Sequence, residues 1–261
     1  MTGLFLAAMI LIKPAYDADA SSFFTTAGVT STAGRQQISR FVTGIKDLGL
    51  WNSMVCWPLR SSQNKGSGTT AYSLGGLGTY NGTLTGGPTW GADGISFDGT
   101  DDFLPTGITA SFSQFSIFSI AKPDTNSGVM YEFSKDDVSS NREFGILATL
   151  GGFIQGFLWN PDNSATIGPA AGTIFRSVCQ RASASINKLR RNNESDASGT
   201  TGTLSQFSAN LTIGARAGGG GNYFDGTISA SILFNTALSD SNTSSVYSTY
   251  KTTLGQGLGL P

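Results

Sequence analysis

Residues 222–250 read NYFDGTISASILFNTALSDSNTSSVYSTY, and the alternation inside this stretch decides the fold. Ile228, Ala230, Ile232 and Phe234 alternate with Ser229, Ser231 and Leu233, a period of two that predicts a strand with one buried face. Asn235-Thr236 makes a polar turn after it. Ser239 is then placed to cap a helix, and Asp240 puts a carboxylate in its first turn, where the helix dipole favours negative charge. Val246, Tyr247 and Tyr250 follow at helical spacing. A Gly- and Asx-rich approach, a half-buried strand and a capped helix form one closing unit.

Composition agrees with a chain built from many short strands. The 261 residues include 35 Gly and 17 Phe, with 39% hydrophobic and only 13% charged residues. So many large apolar groups argue for a packed core rather than disorder. From Gly94 onward, strand signals recur at intervals of roughly 8–15 residues: Ile95–Asp98, Phe103–Leu104, Phe115–Ala121, Val129–Phe133, Phe144–Thr149, Phe153–Trp159, Ile174–Arg181, Ser185–Arg190, Leu211–Gly214 and Thr227–Phe234. Residues 115–121 (FSIFSIA) are apolar on both faces, which predicts a strand inside a sandwich. Residues 61–89 are rich in Gly, Ser and Thr and are expected to hold one or two short strands.

The N-terminal part reads differently. Residues 4–12 (LFLAAMILI) are too short to span a bilayer and read as a buried strand or arm docked on this chain or a neighbour. A first helix is expected from Asp17 or Asp19 to Gly28. A second is expected with Thr32 as its cap, with Ile38, Phe41, Val42, Ile45 and Leu48 on one face and Gly49 at its end. Pro58 is expected to break the run that follows. The expected organisation is an arm and helical leader over residues 1–60, serving as a docking region, and a β-sandwich over residues 61–261.

The chemistry is sparse. The chain has no histidine, which removes the Ser-His-Asp and Cys-His systems and His-ligated metals together. Cys56 and Cys179 lack zinc-site spacing; they read as two buried thiols, with a single long-range disulfide as the alternative. Net charge is −1, and Arg176, Arg181, Lys188, Arg190 and Arg191 read as the solvated face of a hairpin, so no nucleic-acid partner is expected. Glu132, Glu143 and Glu194 are the only glutamates and form no Glu-x-Asp-x-Glu triplet. Asp101-Asp102 and Asp136-Asp137 would point to opposite faces of an extended backbone. No catalytic residue is therefore assigned. Asp98, Asp101 and Asp102, and Asn222 with Asp225, are oxygen donors of the type calcium takes, and read first as turn-forming Asx residues, with no metal or cofactor assigned. Trp90, Trp159, Tyr131 and Tyr223 are available for sugar contact. Trp159, Asn160, Asp162 and Tyr223 are the candidate glycan residues, because exposed aromatic faces beside Asn and Asp suit sugar rings and hydroxyls.

Four segments resemble one family. Residues 94–105 (GISFDGTDDFLP), 115–123 (FSIFSIAKP), 175–199 and 223–250 are similar, in order, to laminin-G-like, concanavalin A-like sandwich domains. The likeness runs over roughly residues 90–255 and implies a mainly β, two-sheet antiparallel sandwich of jelly-roll type, preceded by the small helical leader. Residues 228–231 (ISAS) stand where that family carries acidic residues, which lowers the calcium expectation that the resemblance raises. Residues 17–51 and 82–102 resemble tailed-bacteriophage structural proteins. That second resemblance implies a non-enzymatic virion component, either a capsid-surface decoration or a tail-associated fibre or adhesin. Its expected partners are other virion proteins, further copies of itself and a host-surface glycan, with no membrane partner. The alternative is a lectin-like adhesin of a secreted or cell-surface protein.

Overall fold

The computed structural model describes residues 16–261 apart from 126–127, 137–143, 149–151, 159–162, 169–173, 202–203, 205–208 and 217–218. The expected apolar arm at residues 4–12 lies outside the described residues. In chain order the elements are α1 (Ala18–Thr26), α2 (Thr32–Asp47), β1 (Met54–Pro58), β2 (Thr70–Ala71), β3 (Gly82–Thr83), β4 (Thr89–Trp90), β5 (Ile95–Asp98), β6 (Leu104–Pro105), β7 (Phe115–Pro123) and β8 (Met130–Lys135). They continue with β9 (Phe144–Ala148), β10 (Ile154–Leu158), β11 (Asn163–Ile167), β12 (Arg176–Ser183), β13 (Ile186–Arg191), β14 (Ala197–Ser198), β15 (Leu211–Ile213), β16 (Asp225–Phe234) and α3 (Asp240–Thr252).

The fold is the antiparallel β-sandwich that the strand pattern predicts. One sheet has eight strands, in the order β14-β13-β12-β7-β16-β5-β4, with β1 also on β16. The other has six, in the order β11-β10-β9-β8-β15-β6, and β2 with β3 makes a small third sheet. The ten-residue β16 is the spine of the larger sheet. Along one edge it pairs with β7; along the other, β5 takes its first half and β1 its second.

The single buried face expected of β16 needs correction. A register irregularity at Ser229 splits the strand. Ile228 and Leu233 face the core between the sheets, whereas Ala230, Ile232 and Phe234 face a second core on the outside. That second core exists because α1, α2 and α3 cover the outer face of the larger sheet. The four apolar residues of α2, Ile38, Phe41, Val42 and Ile45, are fully buried there, and each contributes roughly 1.5–3 kcal/mol. Phe115 and Ile117 serve the inner core and Phe118 and Ile120 the outer one, as the doubly apolar reading of β7 expects.

Asp17 caps α1, accepting from the Asp19 amide at 2.9 Å, and Ser239 caps α3 through the Asn242 amide at 3.1 Å. The cap of α2 is Ser31 rather than Thr32; its hydroxyl reaches the Gly34 amide at 3.3 Å. Pro58 does not break a helix but ends the strand β1, where its missing N–H costs little.

Three of the five basic residues, Arg176, Arg181 and Arg190, are not the solvated face expected of them, whereas Lys188 and Arg191 stay partly exposed. Arg181 and Arg190 are buried, and both donate to the Asp196 carboxylate. Arg181 also donates to Asp240 at 2.5 Å, and Arg190 to Ser244 at 2.8 Å, which fastens the start of α3 to β12 and β13. Burial pushes the Asp196 carboxyl up, but the hydrogen bonds from Arg190 and Arg181 outweigh it and hold the group at about 2. Arg176, the first residue of β12, donates to Glu132 of β8 at 2.5 Å and so ties the two sheets together inside the sandwich.

The cysteines are both free and buried. Cys56 pairs in register with Ile232, Ile232 with Phe118, and Phe118 with Cys179. Three interstrand spacings separate the thiols, about 14 Å, and a disulfide needs Cα atoms within about 7 Å. Burial pushes both thiols well above their ordinary range.

Candidate functional site

The tetrapeptide Phe-Asp-Gly-Thr occurs twice, at residues 97–100 and 224–227, and the fold lays the two copies against each other. Asp98 and Asp225 are cross-strand partners on β5 and β16. Phe97 and Phe224 meet edge to face below them, with ring centroids 6.3 Å apart in the inner core. Gly99 turns the chain away in the left-handed region, at φ 75°, and its amide donates to the Phe224 carbonyl at 3.1 Å. A Cβ on Gly99 would stand 2.9 Å from that of Asp225, so glycine leaves the space into which the carboxylate projects.

A cleft of about 270 Å³ opens at this end of the sandwich. Asp98, Gly99 and Asp225 form one side of it, Val129 and Met130 at the start of β8 another, and Asn222 and Tyr223 complete the lining with Thr125. Asn222 adopts a left-handed backbone, at φ 53°, which Asn tolerates better than most residues. Its carbonyl accepts from the Tyr131 amide at 3.0 Å and its side-chain amide donates to the Val129 carbonyl at 3.1 Å, which fastens the loop before β16 to β8. The Tyr223 hydroxyl donates to the Gly219 carbonyl at 2.6 Å, and its ring tilts against Phe103. The aromatic ring is half-buried and held at both ends.

Asp98, Asp101 and Asp102 place carboxylate oxygens within 4.8 Å of one another. The opposed orientation expected of Asp101 and Asp102 does not hold, because the chain bends there instead of extending. Asp102 is buried and accepts from the Asp98 amide at 3.0 Å; Asp98 accepts from the Thr100 amide at 2.8 Å. These are the local Asx contacts of a turn. Burial pushes the Asp102 carboxyl above its ordinary value, against the pull of the Asp98 amide, and the neighbouring Asp98 and Asp101 charges push it the same way.

Of the predicted glycan residues, Tyr223 lines the cleft, while Trp159, Asn160 and Asp162 lie outside the described residues. Leu158, which precedes them, pairs with Phe144, and Phe144 pairs with Lys135 at the far end of β8 from Met130. Five residues of strand, about 17 Å, separate that end from the cleft. Tyr131 is buried edge to face on Phe157, and Trp90 is half-buried with its indole N–H donating to Gly68. Sequence reasoning missed Val129, Met130 and Thr125, which carry no chemical signature. It also missed the repeated Phe-Asp-Gly-Thr, which does.

A second cleft of about 240 Å³ lies between α1 and the β2–β3 connection, with Phe23, Trp51, Thr79 and Asn81 among its lining residues. Among the described residues no helix is long and apolar enough to cross a membrane.

No protein-family model matches the chain, and no curated protein matches it. Solved structures do resemble it. A mutant of Trypanosoma rangeli sialidase displaying trans-sialidase activity superposes with a TM-score of 0.60 at 12% identity, over 84% of this chain and 39% of that one. Trypanosoma rangeli sialidase in complex with the inhibitor DANA gives 0.55 at 13%, over 69% and 31%. The Ruminococcus gnavus IT-sialidase CBM40 bound to α2,3-sialyllactose gives 0.44 at 18%, over 52% and 83%. The chain therefore spans about two fifths or less of the sialidase chains it matches, and at these identities the likeness is one of fold.

Proposed function

We propose that this chain is a non-catalytic, lectin-like module that binds a sugar in the cleft between Asp98, Asn222, Tyr223 and Asp225. The observation that carries the reading is the cleft itself. A fixed aromatic ring stands beside carboxylates on the exposed rim of a rigid sheet, and such an arrangement receives the apolar face of a sugar and its hydroxyls together. The match to part of a sialidase is compatible with this and does not carry it.

The non-enzymatic reading rests on where the carboxylates are. A glycosidase needs two that flank the scissile bond. Asp98 and Asp225 stand together on one side of the cleft, with Asp101 and Asp102 in the turn beside Asp98, and no carboxylate faces them among the other described lining residues. Glu132 is locked on Arg176 and Glu194 on Arg191.

The proposed setting is the surface of a tailed-bacteriophage virion, where the chain stands in several copies beside other virion proteins. It is supported by the resemblance of residues 17–51 and 82–102. Because α2 and β1 share a core with the sandwich, removing residues 1–60 would break the fold. The informative truncation removes residues 1–15. Purified particles are expected to carry the full chain at fixed copy number and to lose it on this truncation; normal incorporation of the truncated chain would count against that arm as the docking element.

The sugar reading is tested on a glycan array with the full chain. Saturable binding is expected, weakened at least tenfold in Tyr223→Ala. Trp159→Ala probes the other aromatic candidate. Loss there, with Tyr223→Ala unaffected, would move the site to Trp159, Asn160 and Asp162.

A further inference from the structure

Resting on the sugar-binding reading, we infer that the cleft selects uncharged sugars and turns away those bearing a carboxylate, sulfate or phosphate. Two independent properties of the cleft lead there: its charge and its stock of hydrogen-bonding groups.

Charge comes first. Asp98 and Asp225 line the cleft as direct cross-strand partners. Asp101 holds a carboxylate oxygen within 4.8 Å of Asp98, and the exposed Asp124 is joined to Asp225 through its backbone amide at 3.0 Å. No lysine or arginine is among the described residues lining the cleft. Lys122, at the same end of β7, lies 3.9 Å from Asp124 and over the Phe175 ring. Arg216 is held on Asp136 at 2.9 Å. The segments that join these loops, Asn-Ser at 126–127 and Ala-Gly at 217–218, contain no basic residue. An anionic sugar would meet two or more negative charges with no basic residue among the described lining to offset them, and like charges at close range repel.

Hydrogen bonding points the same way. An ionised carboxylate only accepts. The Tyr223 hydroxyl already donates to Gly219 and presents lone pairs, and the Asn222 amide already donates to Val129. The cleft is rich in acceptors, and these groups have spent all their donors but the second hydrogen of the Asn222 amide. Sugar hydroxyls donate into such a site, and a vicinal pair suits the two oxygens of one carboxylate. An anion needs donors, and these groups keep only one between them, the second hydrogen of the Asn222 amide.

The experiment titrates the full chain with matched glycans that differ only in charge: lactose against 3′-sialyllactose, and each neutral array hit against its sialylated or sulfated form. The anionic member is expected to bind at least tenfold more weakly. The gap should narrow toward unity in high salt and in the Asp98→Asn/Asp225→Asn double variant, even as neutral binding itself falls. Anionic members that bind as tightly as their neutral partners would overturn the inference and leave the sugar reading intact. A neutral preference that is unchanged in the double variant would overturn its assignment to this cleft. Binding of no glycan of either kind would remove the sugar reading, and the inference with it.

Discussion

Gly226→Ala should lower the melting temperature by about 10 °C and abolish ligand binding at the cleft. Gly226 has φ 143°, inside the region that favours glycine. Its missing Cβ would stand 2.3 Å from the Lys122 carbonyl oxygen and 2.8 Å from the Pro123 Cα. Both are backbone atoms of the paired strand β7, so neither moves aside cheaply. Relief requires β16 to part from β7 at the very residue that follows Asp225. Strain and overpacking together cost roughly 3 kcal/mol or more, and at this chain length each kcal/mol lowers the melting point by roughly 2–4 °C. Gly28→Ala is the control. At φ 65° with open space around it, it bears only the left-handed strain, roughly 1–2 kcal/mol. Thermal melts in which the two variants behave alike would show that the close approach of β7 is not what requires glycine at 226.

The second large effect belongs to Glu132→Leu. Glu132 sits at a register irregularity of β8, between Tyr131 and Phe133, and is fully buried against Arg176. The pair is only partly satisfied: the other Glu132 oxygen and the Arg176 Nε and Nη1 atoms are buried without a hydrogen-bond partner among the described residues. Deleting one member leaves a guanidinium stranded between two sheets, which costs about 3–5 kcal/mol. Deleting both, as Glu132→Leu/Arg176→Met, removes two desolvated charges and should recover most of that loss or exceed the parent stability. Denaturant melts of the two singles and the double form a cycle that isolates the coupling. If Glu132→Leu costs under about 1 kcal/mol, or the double is no better than the worse single, the pair does not behave as a buried charge pair.

The elements that the sequence disclosed most clearly are those in which one local force dominates. Residues 115–121 carry large apolar groups at every other position on both sides, and no helix would bury them all. Ser239 and Asp240 announce α3 because a capping hydroxyl and a first-turn carboxylate have little other use there. The failures come from tertiary context. Serines at 229 and 231 look like a solvent face. Ser229 is instead bonded to the Tyr250 hydroxyl under α3, and Ser231 is buried without a partner among the described residues. Residues 54–58 (MVCWP) are buried on both faces, so they lack the alternation that marks a strand, and their place beside β16 depends on contacts nearly 180 residues away. Arg181 and Arg190 read as solvated because charge alone does not reveal Asp196 and Asp240, which arrive from other elements. The cleft was half legible. Tyr223, Asn222, Asp225 and Asp98 were all candidates, but as members of separate lists. Only the pairing of β5 with β16 makes them one site.

The central claim is that sugar is held at this pairing. The most direct measurement is the structure of the full chain with the tightest neutral glycan found on the array. The sugar ring is expected against Tyr223, with hydroxyls on Asp225 and Asp98. A ligand seated instead in the groove between α1 and Trp51, or on Trp159, Asn160 and Asp162, would contradict it.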